Sequence, residues 1–166
     1  MKRFGVIAAV VAAFVALGAP ATAWASHGHH HNKHHGNSFT VLVRDADATV
    51  TPADFFTSTP VSNAQATEDA PVYNEDGSEQ IGLAETVYTI TRVAGTDVDV
   101  MVECSVELPD GNILFNGTAH LADVTTGADI PVVGGTGAYA RAAGVVTATG
   151  ASDGSTTTLD FDISTK

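Results

Sequence analysis

The segment from Asp97 to Leu108, DVDVMVECSVEL, alternates apolar and polar side chains with a period of two. A β-strand turns successive side chains to opposite faces, so this pattern predicts a strand with one buried and one hydrated face. An amphipathic helix would need a period near 3.6 residues, which the segment lacks. The predicted buried face carries Val98, Val100, Val102, Cys104, Val106 and Leu108.

Similar alternation, or a short apolar run, recurs over most of the chain. The further predicted strands occupy residues 39–50, 80–93, 112–124, 128–135, 144–151 and 156–163. Residues 71–82 hold a short strand and a turn, while the prolines in residues 51–71 indicate irregular or edge structure. No segment has a convincing helical pattern. About eight short strands predict an all-β domain over residues 38–166, built as a barrel or as a sandwich.

The glycine-rich segment Gly134-Gly135-Thr136-Gly137 follows an apolar strand, as the phosphate loop of a dinucleotide-binding fold does. Such a fold also needs a helix after the loop and an acidic residue about twenty positions further on. Here the segment before Gly144 is too short for that helix, and Ser155 stands near the position of the acid. We therefore predict a tight corner between two strands, with Tyr139 covering the core beside it.

Residues 1–25 have the organisation of a secretory signal peptide. Lys2 and Arg3 precede an apolar run from Phe4 to Leu17, and Ala23 and Ala25 supply the small residues of a cleavage site. The run is shorter than the roughly 20 residues that a membrane span requires. The sequence predicts a secreted, extracellular protein that is soluble after cleavage.

Residues 26–37, SHGHHHNKHHGN, contain no apolar side chain, which predicts a disordered tail. Neutral imidazoles at this density chelate divalent ions such as Zn²⁺ or Cu²⁺. The candidate metal ligands of the tail are His27, His29, His30, His31, His34 and His35.

Charge and cysteine content narrow the function classes. The chain carries 19 acidic residues against 7 lysines and arginines, and two of those seven lie in the predicted signal peptide. This balance argues against nucleic-acid and anionic-membrane partners, because phosphate binding needs clustered basic residues. Cys104 is the only cysteine, so the chain forms no intramolecular disulfide and its stability must come from a core.

Three motifs carry a family resemblance. IPVVGGTGAYARAAGVV, from Ile130 to Val146, resembles the signature segment of plant dirigent proteins. PVYNEDGSEQIG is similar to a stretch shared by dirigent proteins and allene oxide cyclases, and VELPDGNILFNGT is similar to their hairpin. Order and spacing agree from Phe39 to the C-terminus. The chain thus resembles a secreted bacterial member of the allene oxide cyclase and dirigent-like superfamily.

The resemblance implies an eight-stranded antiparallel β-barrel with an apolar cavity, commonly oligomeric, and similar to actinobacterial cyclase barrels. It implies a small apolar ligand and no cofactor. The protein would then be a cyclase or isomerase that confines its substrate, or a stereochemical guide, and whether it is an enzyme stays open. The alternative is a non-catalytic secreted barrel whose histidine tail binds metal.

Candidate site residues depend on which side chains of residues 81–92 face inward. The resemblance to allene oxide cyclases favours Tyr88, with Ile90 and Arg92, whereas the opposite register points Glu85 inward. Tyr88 and Glu85 are therefore the candidate catalytic residues, assisting proton transfer. Both registers stay open, as does a structural role for Tyr88 and a solvent-facing one for Glu85. The candidate ligand-binding residues are Arg44, Arg92, His120 and Tyr139.

Overall fold

The computed structural model describes residues 37–165, which form nine β-strands and three single 3-10 turns. The predicted signal peptide and the six histidines of the tail lie outside these residues and stay predictions. The turns occupy residues 45–47, 121–123 and 137–139. The strands are β1 (Asn37–Arg44), β2 (Thr49–Thr51), β3 (Gln65–Tyr73), β4 (Gln80–Ala94), β5 (Asp97–Leu108), β6 (Gly111–His120), β7 (Ala128–Gly135), β8 (Ala142–Gly150) and β9 (Thr156–Thr165).

The sheet closes into an eight-stranded antiparallel barrel. Its strand order is β1-β9-β8-β7-β6-β5-β4-β3, and β1 pairs with β3 at Leu42 opposite Tyr73 and Val43 opposite Val72. The short β2 runs on along β3 after β1 has ended, with Val50 opposite Glu68. The all-β prediction and the barrel are confirmed. Within residues 37–165 no helix is long and apolar enough to cross a membrane.

The alternation of apolar and polar residues that predicted β5 matches the alternation of buried and exposed side chains along the strand. Val98, Val106 and Leu108 are buried, while Asp97, Glu103 and Glu107 are exposed. Across the turn at Gly95, β4 pairs with β5 along its length, and Tyr88 lies opposite Val102. Inside a closed barrel the apolar face of each strand points to the interior.

Two of the differences between the predicted and the observed strand bounds lie at β1 and β3. The predicted first strand breaks at Asp45, where a 3-10 turn intervenes and the Asp45 amide donates to the Ser155 carbonyl oxygen at 3.2 Å. β3 begins at Gln65, not at Pro71. Its inward positions before Val72 hold Ala66, Glu68 and Ala70, so the alternation lacks the large apolar side chains that mark a strand in sequence.

The interior has two parts, which we call the packed half and the cavity half. The packed half is the aromatic and aliphatic core around Phe39, Ile113, Phe161 and Ile163. The rings of Phe39 and Phe161 stack with their centroids 4.9 Å apart. The cavity half surrounds Glu68 and Tyr88 and lies toward the end where β4, β6 and β8 finish.

The glycine-rich segment forms a corner of the packed half. Gly137 has a φ of 58°, and a Cβ added there would lie 2.2 Å from the Asp110 carbonyl oxygen. The Ala138 amide donates to the same oxygen at 2.8 Å. After the single turn at residues 137–139, the chain enters β8. The predicted tight corner is therefore present, and the helix of a dinucleotide-binding fold is absent from this part of the described chain.

Candidate functional site

The cavity half encloses a cavity of about 100 Å³. All eight strands of the barrel contribute to its wall, and His120, Leu121 and Val124 line it where β6 ends. Most of the lining is apolar, and it includes no lysine or arginine. The lining residues are Val43, Phe56, Glu68, Ala70, Ala84, Thr86, Tyr88, Val100, Val102, Cys104, Phe115, Ala119, His120, Leu121, Val124, Ala128, Ile130, Ala148, Thr157 and Leu159.

Glu68 and Tyr88 form a hydrogen-bonded pair in this wall. They lie on the neighbouring strands β3 and β4, and the Tyr88 hydroxyl donates to Glu68 Oε2 at 2.6 Å. Glu68 is only 3% exposed, and its burial raises the pKa of the carboxyl, although the hydrogen bond from Tyr88 partly offsets this. Burial and then the negative charge of Glu68 raise the pKa of Tyr88 well above its usual value. Glu68 is thus the member of the pair that can gain or lose a proton, while the Tyr88 hydroxyl stays protonated.

Asp45 is a second buried carboxyl group close to the first. It is 2% exposed and accepts a hydrogen bond from the Thr157 hydroxyl at 3.3 Å. Burial, and then the charge of Glu68, raise its pKa to about 7 against the opposing hydrogen bond from Thr157. Asp45 Oδ2 and Glu68 Oε1 have no hydrogen-bond partner among the described residues. Two coupled carboxyl groups with raised pKa values are a recurring feature of functional sites.

Cys104 lines the cavity as a neutral thiol. The Thr86 hydroxyl lies 3.2 Å from its sulfur, and burial raises the pKa of the thiol to about 12. A thiol of this pKa is not a nucleophile near neutral pH. Its burial agrees with the alternation of β5, which places Cys104 on the apolar face.

The structure selects one register for β4. Ala84, Thr86 and Tyr88 point into the barrel and line the cavity, while Glu85 is exposed on the outer face. Of the two candidate catalytic residues, only Tyr88 therefore reaches the cavity. Glu85 is not part of the cavity wall.

Arg92 lies on the outside of the barrel because a β-bulge interrupts β4. The register shifts between Ile90 and Arg92, so Ile90 is buried while Arg92 turns outward. Its guanidinium pairs with Asp97 at 2.6 Å and with Asp99 at 2.5 Å. These hydrogen bonds raise the pKa of Arg92 and lower that of Asp99.

The other three candidate ligand-binding residues lie in separate places. Arg44 is outside the cavity, with its guanidinium carbon 4.1 Å from the ring centroid of Tyr73 and a hydrogen bond to the Gly77 carbonyl oxygen. Tyr139 belongs to the packed half, where its ring centroid lies 6.0 Å from that of Phe39. His120 is the only one of the three in the cavity lining, and it is exposed at the rim.

Three potential metal ligands lie together beside His120, but the guanidinium of Arg92 already pairs with two of them. Ligand atoms of Asp97, Asp99 and His120 lie within 4.8 Å of one another. Arg92 pairs with both carboxylates, and His120 Nδ1 contacts Asp99. A metal ion would have to displace the guanidinium, so the cluster is better described as an ion-pair network on the barrel surface.

Sequence reasoning missed both buried acids, although the signal was present. Asp45 has the same phase as Val41 and Val43 of β1, and Glu68 has the same phase as Ala70 and Val72 of β3. An acid in phase with the apolar face of a strand indicates a buried carboxyl group. The predicted bounds hid the phase of Glu68, which fell in a segment predicted to be irregular, whereas Asp45 lay within the predicted strand 39–50 and its phase was visible.

Fold and site together define a closed antiparallel β-barrel with an apolar cavity, a buried glutamate in its wall and a second buried acid, Asp45, nearby. The family model described as dirigent-like protein matches residues 24–165. The chain belongs to this family. No curated protein matches the sequence at a significant level.

Solved structures share the fold at low sequence identity. A pyocyanin demethylase superposes with a TM-score of 0.60 at 18% identity, covering 77% of this chain and 100% of that one. An exo-specific intermolecular Diels-Alderase gives 0.57 at 18% identity, covering 77% and 98%. The pterocarpan synthase dirigent protein gives 0.56 at 19% identity, covering 77% and 92%. These similarities support the dirigent-like barrel.

Proposed function

We propose that the barrel takes a small apolar molecule into its cavity and guides its ring closure or coupling. The observation that carries the proposal is the combination of the apolar lining with the Glu68–Tyr88 pair in its wall. A preformed cavity lowers the entropic cost of reaching one reactive conformation. Glu68 lines the cavity and burial raises the pKa of its carboxyl group, so Glu68 would donate or accept the proton.

Two structural neighbours support this chemistry. One is an exo-specific intermolecular Diels-Alderase and the other is a pterocarpan synthase dirigent protein, and both share the fold of this barrel. The protein is accordingly proposed as a cofactor-free cyclase or isomerase, or as a stereochemical guide. Tyr88 would hold Glu68 in place and Glu68 would face the ligand.

The size of the cavity limits the ligand. An apolar cavity of about 150 Å³ holds a benzene molecule, and the cavity here is about 100 Å³. A single ring therefore fills the cavity and reaches the rim near His120.

A pair of alanine-to-leucine variants tests the proposal. Ala84 is buried in the cavity wall, whereas Ala143 is exposed on the outer face of β8. Toluene should raise the melting temperature of the wild type and of Ala143→Leu, but not of Ala84→Leu, in which the new side chain fills the cavity. Toluene stabilisation that survives in Ala84→Leu, or that is absent from the wild type, would refute a ligand cavity.

Secretion and self-association are also proposed. The organisation of residues 1–25 supports secretion. Leu114, Val133 and Val145 expose apolar side chains on the neighbouring strands β6, β7 and β8, which supports a homo-oligomer formed through this face. Light scattering on Val133→Asp and on the wild type would test the assembly, since a monomeric wild type contradicts it.

A further inference from the structure

Near neutral pH, the buried groups at the cavity that can carry a charge are carboxyl groups. Glu68 lines it, and Asp45 lies close enough for the charge of Glu68 to raise its pKa. The two arginines nearest in sequence to lining residues are engaged elsewhere: Arg44 lies over Tyr73, and Arg92 pairs with Asp97 and Asp99 on the surface. The lining residues therefore include no lysine or arginine that could pair with the buried carboxyl groups.

Glu68 also has an unused acceptor. Tyr88 satisfies Oε2 alone, and Oε1 has no hydrogen-bond partner among the described residues although Glu68 is 3% exposed. A buried carboxylate oxygen without a donor is costly. A ligand that carries an N–H group into the cavity would remove this cost, whereas a carboxylate or phosphate ligand would add to it.

The remaining wall suits a cation on an apolar body. The rings of Phe56, Tyr88 and Phe115 line the cavity, and Phe56 packs edge-on against Tyr88 with centroids 5.1 Å apart. Aromatic rings attract organic cations, and a desolvated carboxylate strengthens such binding. Alanines at positions 70, 84 and 128 leave the room for the apolar part.

We propose that the cavity selects a small organic cation, a primary or secondary ammonium ion on a compact apolar body, whose N–H donates to Glu68 Oε1. This inference rests on the proposed ligand cavity and adds the charge class of the ligand. A neutral alcohol of the same shape satisfies the oxygen but leaves the charge unpaired. An anion of the same shape is rejected.

A charge series on one ring tests this selectivity. The probes are benzylamine, benzyl alcohol, benzoate and toluene, measured by calorimetry at pH 8, where benzylamine is protonated. We expect benzylamine to bind at least about tenfold more tightly than benzyl alcohol, as a charge-assisted hydrogen bond is about twice as strong as a neutral one. Benzoate should bind least.

Two glutamate variants locate the effect. Glu68→Gln should lose the preference for benzylamine while it keeps the affinity for toluene, because the amide removes the charge and preserves the shape. Glu85→Gln changes the same residue type on the outer face of β4 and should leave all four affinities unchanged. Circular dichroism establishes that each variant is folded, and the wild-type series decides the question even if Glu68→Gln is not.

Each result separates the two proposals. Benzoate binding as tightly as benzylamine, or equal binding of amine and alcohol, overturns the cation inference while toluene binding upholds the cavity. A wild type that binds none of the four probes overturns both. A preference for benzylamine that persists in Glu68→Gln places the cation elsewhere and also overturns the inference.

Discussion

The packed half and the cavity half are built on the same eight strands and differ in the size of their inward side chains. In the packed half these positions hold large groups such as Ile113, Phe161 and Ile163, all at most 2% exposed. In the cavity half five alanines line the wall, at positions 70, 84, 119, 128 and 148. A barrel of eight strands is just wide enough for side chains to fill, so large residues close one half and small residues leave a space in the other.

The halves also differ in how they treat charge. The buried residues of the packed half are apolar, while the cavity half holds two buried carboxyl groups that pair with no basic residue between residues 37 and 165. Burying such groups lowers stability, and proteins retain that cost mainly at functional sites. One half therefore stabilises the barrel, and the other holds the groups on which the proposed chemistry depends.

The largest expected change in stability comes from truncating one phenylalanine in each half. Phe161→Ala removes a ring that stacks on Phe39 and should lower the free energy of unfolding by about 3 to 5 kcal/mol. Phe56→Ala removes a half-buried ring beside the cavity and should cost less than about 2 kcal/mol. Urea denaturation measures both, and equal losses would show that the two halves contribute alike.

Asp45 predicts a pH dependence that originates in the cavity half. Its pKa is about 7 in the folded chain, against the ordinary aspartate value of 3.8 in the unfolded chain, so the folded state holds the proton more tightly between these limits. The stabilisation is fully present below about pH 4 and is lost as the pH rises to about 7. Three pKa units correspond to roughly 4 kcal/mol as an upper limit.

Asp45→Asn should therefore stabilise the protein by up to about 4 kcal/mol at pH 8 and by little at pH 4. Asp162→Asn, on the exposed face of β9, serves as the matched control and should change stability little at either pH. Urea denaturation at pH 4, 6 and 8 gives the comparison. An Asp45→Asn difference that does not grow between pH 4 and 8 would contradict a raised pKa.

A smaller difference separates two glycine turns, one at each end of the barrel. Gly95 and Gly137 have φ values of 67° and 58°, but an added Cβ meets nothing within 4 Å at Gly95 and lies 2.2 Å from the Asp110 carbonyl oxygen at Gly137. Alanine should cost roughly 1 kcal/mol at either position through backbone strain. At Gly137 the contact should add about 2 kcal/mol.

Thermal denaturation of Gly95→Ala and Gly137→Ala compares the two turns directly. If both variants melt at the same temperature, the corner at Gly137 is not tightly packed against the β5–β6 turn.

Much of the site escaped prediction because it depends on strand bounds. The family resemblance pointed to the neighbourhood of Tyr88, and the structure places Tyr88 in the cavity wall. Glu68, the partner of Tyr88, was not predicted as a site residue. The sequence predicted that β3 begins at Pro71, so Glu68 fell in a segment predicted to be irregular. Arg92 was grouped with Tyr88 by simple alternation, which the β-bulge after Ile90 breaks.

The sequence by itself determined the all-β class, the alternation of β5 and the glycine corner, since these follow from local periodicity and local backbone freedom. Only the tertiary structure decided that β1 closes on β3 and that Asp45, in the 3-10 turn after β1, lies near Glu68 of β3. The sequence around either residue does not show that the two are close. Which side chains share the interior depends on the pairing of strands that are far apart in the chain. Strand pairing also decides which half is filled by side chains and which contains the cavity, because all eight strands contribute residues to the interior.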